Sequence, residues 1–127
     1  TAAITPSSSS NKVLIMVHLT GDFANASTDL PTPGALQLVR NSTAICIGDA
    51  NSTNVRATGS TEFFNNNQGS TFSMTYLDSP ATTSSITYGV QIINGAGSGT
   101  FYLGNPFGKT TSSYCTGTSS ITVMEVS

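Results

Sequence analysis

Side chains able to do acid–base, nucleophilic or metal chemistry are few in this chain, and their spacing assembles no familiar constellation. His18, the single histidine, lies inside the run Lys12 to Thr20 (KVLIMVHLT) with no Ser or Cys that the sequence places beside it. It is expected as a core or interface residue rather than a general base. Asp22 and Asp29 share one stretch, where two carboxylates suggest calcium, yet the EF-hand spacing is missing and they are expected as solvated loop acids. Glu62 and Glu125 would be a glycosidase pair only if the fold brought them together, and nothing in their spacing says so. Cys46 and Cys115 either form one disulfide or stay as two quiet thiols, and with His18 they are too few for a metal site. Asn25-Ala26-Ser27, Asn41-Ser42-Thr43 and Asn51-Ser52-Thr53 match the glycosylation acceptor pattern, as chance matches do in a chain this rich in Asn, Ser and Thr. Gly95, Gly97 and Gly99 resemble a phosphate loop only in spelling: no helix follows, so a hairpin turn is expected. The expectation is no catalysis, no cofactor and no metal.

The elements that carry these side chains are β-strands. Charged residues make up 8 % of the 127, against roughly 25 % in ordinary soluble domains, while Ser and Thr number 39. Hydroxyls and amides therefore keep the surface wet. Helix formers such as Glu, Lys, Arg and Leu are scarce and β-branched residues plentiful, which argues an all-β chain with no substantial helix. The length suits one domain over residues 1–127. Lys12, Arg40, Arg56 and Lys109 are the only cations, and the net charge is −2, so no footprint for nucleic acid or an anionic membrane exists. The longest apolar run, Val13 to Val17, is too short for a membrane span, and no signal segment is expected. Thr1 in place of Met means either a removed initiator or a piece of a longer polypeptide.

Period two organises the chain around Thr71 to Ile93. Phe72, Met74 and Tyr76 alternate with hydroxyl residues, Ile86, Tyr88, Val90 and Ile92 alternate again, and Leu77-Asp78-Ser79-Pro80 makes the corner between them. This predicts a strand pair laid on a second sheet. Upstream, a short opening strand over Thr1 to Thr5 leads through a serine linker into strand 12–20, and Gly21 to Gly34 reads as a long surface loop. Ala35 to Arg40 and Ala44 to Ile47 form a hairpin about Asn41-Ser42. Further strands are expected around Val55 and Ala57, near Glu62 to Phe64, over Thr100 to Leu103 and over Ser120 to Val126, with a polar loop from Gly104 to Gly117.

Strands 12–20 and 120–126 are apolar on both faces. An antiparallel sandwich buries only one face of each sheet, so the second face needs a cover, and another copy of the chain supplies it. A homo-oligomer is expected, with the two strands side by side in the contacting sheet and Leu14, Met16, His18, Tyr88, Ile121 and Val123 at the interface. Antiparallel neighbours would place both termini at one end and loops 21–34 and 104–117 at the other.

The ordered blocks TAAITPSSSSNKVLIMV, ICIGDANSTNVRA, TYLDSPATTSSITYGVQI, SGTFYL and TSSITVMEV, spanning roughly residues 2–127, resemble the C-terminal domain of bacteriophage tail-fibre and related virion proteins. Those domains are similar to the jelly-roll trimers of the tumour-necrosis-factor and complement-head type. The family's usual glycine in the IGIGDA-like block is here Cys46. The resemblance implies an antiparallel two-sheet jelly-roll sandwich and a non-enzymatic, structural homotrimer at the virion surface, the C-terminal part of a longer protein and the tip of a phage fibre. Its implied partners are sister copies, other virion proteins and a host surface glycan or protein, met through loops carrying Asp22, Asp29, Phe107, Lys109 and Tyr114. Two alternatives accompany it. One is a capsid decoration or head-fibre protein of the same fold. The other is a carbohydrate-binding module using Phe107, Tyr114 and Asn65 to Asn67, in a chain that has no tryptophan for a sugar platform.

Overall fold

The computed structural model describes residues 1–24, 32–63, 70–94, 100–105 and 115–127. Alternating hydrophobicity becomes nine strands: β1 (Ala2–Ile4), β2 (Lys12–Ala24), β3 (Thr32–Arg40), β4 (Thr43–Ile45), β5 (Gly59–Phe63), β6 (Ser70–Asp78), β7 (Ile86–Asn94), β8 (Thr100–Leu103) and β9 (Ser120–Val126). No helix occurs among the described residues. All pairings are antiparallel, in two sheets. One has the order β1-β7-β3 with β4 and β5 sharing the far edge of β3, and the other places β6 on one edge of β2 and both β8 and β9 on the opposite edge.

The sheets face each other across a core of Val13, Ile15 and Val17 from β2 and Leu38, Ile86 and Tyr88 from β3 and β7. Each such aliphatic side chain taken out of water contributes about 1.5–3 kcal/mol, so these few residues hold the two layers together. Across the second sheet the inner rows read Met74–Val17–Ile121, Tyr76–Ile15–Val123 and Asp78–Val13–Glu125. The one row with polar ends, Asp78 on β6 and Glu125 on β9, closes the Lys12 end of this sheet.

Both central strands change partner partway, and hydroxyls bridge the breaks. On β3, the Leu38 N–H donates to Thr58 Oγ1 at 2.8 Å, and that hydroxyl donates on to the Ile45 carbonyl at 3.4 Å, closing the gap between β4 and β5. On β2, the Thr20 N–H donates to Ser119 Oγ at 3.0 Å and the Gly104 N–H donates to the Thr20 carbonyl at 2.7 Å, between β9 and β8. A backbone polar group left unmade here would cost about 1–3 kcal/mol. Gly21 marks the same switch: a Cβ there would overlap the Phe101 ring and lie 2.8 Å from the Tyr102 carbonyl oxygen, so the close approach of β8 to β2 favours glycine.

Several sequence expectations are met and several corrected. β2 and β9 are antiparallel neighbours from Lys12↔Val126 to His18↔Ser120. Asn41 and Ser42 both have positive φ, 47° and 70°, the signature of a two-residue hairpin between β3 and β4. However, β6 and β7 are not a strand pair. They lie in opposite sheets, and the segment after Leu77-Asp78-Ser79-Pro80 crosses the sandwich instead of folding back. β7 and β8 are likewise in different sheets, so the glycine-rich segment between them joins no hairpin. β2 continues to Ala24 and β3 begins at Thr32, so residues 21–24 and 32–34, expected within a surface loop, are strand. No strand forms around Val55 and Ala57, and Val55 is exposed. The termini do not share one end. The β9 end lies beside Lys12, whereas Thr1 lines a cleft with Val17, His18 and Leu19.

Candidate functional site

Because β2 points Val13, Ile15 and Val17 inward, it must point Leu14, Met16 and His18 outward. The register then fixes the outer rows. Leu14 stands between Leu77 and Met124, Met16 between Thr75 and Thr122, and His18 between Ser73 and Ser120. This face grades from apolar to hydroxylated along the strands. Met16, Leu77 and Met124 keep 38 %, 44 % and 50 % of their surface exposed, which is unusual for three large apolar side chains on one contiguous face. A shallow trough of about 370 Å³ runs over Met16 and His18, walled by Ser73, Thr75, Ser120 and Thr122.

The register also supplies His18 with a partner that sequence spacing did not place beside it. His18 Nδ1 and Ser73 Oγ are 3.0 Å apart and share a hydrogen bond. A serine beside an imidazole is the start of a nucleophile, but activation needs a third group to orient the ring and donors to hold an oxyanion. The outward neighbours here are Ser120, Thr122 and Thr75, all hydroxyls, and the adjacent strand amides are spent on the ladders. Among the described residues no three His, Cys, Asp or Glu side chains gather where they could hold a metal ion.

The other expected interface residues are corrected by their orientation. Ile121 and Val123 pack onto the core opposite Val17 and Ile15, and Tyr88 is fully buried on the inner face of β7. Alternation made both faces of β9 look apolar; the pairing with β2 shows that Met124 and Val126 take the outer one. Of the expected host-contact residues, Asp22 is fully buried on β2 opposite Tyr102, so it is not a loop contact. Asp29, Phe107, Lys109 and Tyr114 lie outside the described residues, as do Asn65 to Asn67. The neck of the 104–117 loop is described: the Gly117 N–H donates to the Gly104 carbonyl at 2.8 Å beside Thr20, with Gly104 at a φ of 73°. Cys46 and Cys115 are exposed free thiols, and Cys46 occupies a positive φ of 52°, a conformation that suits glycine.

Two polar clusters hold the sandwich that presents this face. Asp78, at the end of β6, accepts from Arg40 Nη1 at 2.9 and 3.1 Å and from the Tyr88 hydroxyl at 2.7 Å, joining one sheet to the other. Burial, and then Asp78 itself, push the Tyr88 hydroxyl well above the ordinary phenol value, so it remains a donor. At the sandwich edge Glu125 accepts from Asn11 Nδ2 at 2.7 Å and from the Ser7 N–H and hydroxyl at 2.6 and 2.8 Å, fastening the serine-rich segment across β9. Those bonds, the Asn11 amide first, hold its carboxyl below the usual range. Stability from a lowered carboxyl is present above the unfolded value of about 4.3 and is lost as pH falls through the folded one. Thermal unfolding of E125Q is therefore expected to vary less below about pH 5 than that of the wild type, the two curves converging in acid. Parallel curves would contradict this.

No protein-family model matches the chain, and no curated protein or solved structure matches it either. Among the described residues no helix is long and apolar enough to cross a membrane.

Proposed function

We propose that this chain is a structural, non-enzymatic virion protein: a jelly-roll homotrimer at the tip of a phage fibre, exposed at the virion surface and meeting the host through its loops. The observation that carries it is the outer face of the β6-β2-β9 layer. Leu14, Met16, Leu77 and Met124 stand together there, and among the described residues of these three strands the charges that share this alternation are Lys12 at one end and the fully buried Asp22 at the other. Sister copies are the occupant this chemistry fits. The patch is apolar, its flanks are hydroxyls that bridge across a contact through water, and the strands that build it are the first and last long ones of the chain. Covering what remains exposed of these side chains, half or less of each, contributes about 25 cal/mol per Å² of apolar surface removed from water, set against about 4–15 kcal/mol for each joining of subunits. The ordered sequence blocks that resemble phage fibre domains supply the virion setting, and the sheet adjacency of β2 and β9 accords with it.

Host contact falls to the loops at the end away from Lys12 and Val126, chiefly residues 104–117. The Gly117 N–H to Gly104 carbonyl bond holds the two ends of that segment together, and an exchange between them leaves it in place. Replacing residues 106–114 by a Gly/Ser linker in the whole fibre is expected to reduce adsorption to host cells by about tenfold or more while the trimer persists, the loss of one good contact of about 1.4 kcal/mol per site being sufficient. Unchanged adsorption would count against the tip reading and leave a decoration protein of the same fold as the better account.

A further inference from the structure

His18 is the chain's single histidine, and β2 sets it on the outer face instead of in the core. We propose that this imidazole makes the self-association of the chain pH-dependent, with copies held together when it is neutral and released when it is protonated; this rests on the assembly reading above. An imidazole is the one side chain whose charge ordinarily changes between about pH 5 and 8. What that charge does depends on what faces it. From β6 come the hydroxyls Thr71, Ser73 and Thr75, while Tyr76 and Asp78 turn inward. From β9 come Ser120 and Thr122, while Glu125 turns to Ser7 and Asn11. On β2 itself the charges of the same alternation are Lys12 and Asp22; Asp22, opposite Tyr102 of β8, is two alternate positions from His18, about 13 Å away at the usual strand rise, and fully buried.

No carboxylate on the rows around His18 therefore stands ready to receive an imidazolium. Among the described residues a second copy brings the same face, with another His18, another Lys12 and another buried Asp22. Neutral His18 fits the contact, because Nδ1 is already paired with Ser73 Oγ at 3.0 Å and the trough offers further hydroxyls. Protonated His18 places like charges in a contact drained of water, where a missing partner is costly.

The test is the mass of the full chain in solution at about pH 8 and about pH 5, for wild type, H18Q and H18T. The wild type is expected to be assembled at the higher pH and to weaken at least about tenfold in association at the lower, while the assembled variants stay unchanged. The midpoint must coincide with the titration of the His18 ring signals by NMR, which are unambiguous in a chain with one histidine. A wild type that keeps its assembled mass at both pH values overturns the switch and leaves the assembly reading standing. A wild type of single-chain mass at about pH 8 overturns that reading and the switch with it. A pH response retained by either variant, or a midpoint away from the ring titration, assigns the effect to other groups and overturns the role of His18.

Discussion

Replacing Asp78 by alanine is expected to lower the unfolding free energy by about 2–4 kcal/mol, one of the two largest effects of any single change considered. Breaking a fully buried ion pair costs roughly 3–5 kcal/mol, and the figure is reduced here because the Arg40 side chain is 31 % exposed although Asp78 is only 8 %. Alanine would strand two donors at once. The Tyr88 hydroxyl, in a fully buried residue, would lose its 2.7 Å acceptor, and Arg40 would lose both carboxylate oxygens. Tyr88→Phe removes one neutral donor and leaves the ion pair, so its cost is about 1–1.5 kcal/mol. D78N keeps an acceptor for Tyr88 and should fall between the two. Because the three side chains form one network, D78A combined with Y88F should lose less than the sum of the separate losses in chemical denaturation. Strict additivity would mean that the sheets are not joined through Asp78.

The second large effect concerns assembly rather than folding. Met16→Asp places a carboxylate at the centre of the outer face, between Thr75 and Thr122. Each copy would forfeit the burial of the 38 % of Met16 that is still exposed and add the cost of desolvating a charge, several kcal/mol for an unpaired ion. Association should weaken by more than about a thousandfold, which corresponds to about 4 kcal/mol. Thr87→Asp provides the control: Thr87 is exposed on β7, in the other sheet, and its change should leave the assembled mass alone. Equal dissociation by both variants would show that added negative charge, and not the β6-β2-β9 face, is responsible.

How far these features could be seen in the sequence depends on whether they are local. Alternation in KVLIMVHLT and SITVMEV marked β2 and β9, and Asn41-Ser42 marked the β3–β4 turn, because side-chain periodicity and positive φ are properties of a few consecutive residues. Period two does not name a strand's partner. Phe72–Tyr76 and Ile86–Ile92 looked like neighbours because one corner joins them, yet a corner of that length serves a crossing between sheets equally well. The same blindness put Ile121 and Val123 on the wrong face of β9, since either set of alternate residues was apolar enough to face inward. Asp22 looked solvated because it is an acid near prolines, whereas it is a buried residue of β2, opposite Tyr102 of β8, and that pairing is not legible in the sequence. The His18–Ser73 hydrogen bond and the inter-sheet role of Asp78 join residues that only register brings together, so no motif search could find them. Glu125 takes its hydrogen bonds from Ser7 and Asn11, in and beside the serine-rich segment that read as a linker, a pairing that spacing does not show.

Everything functional here depends on sister copies meeting across Leu14, Met16, Leu77 and Met124. Light scattering on the purified chain tests this directly. The account predicts a particle of three times the 13.1 kDa chain mass near neutral pH. A particle of one or two chains at every concentration tested would contradict it.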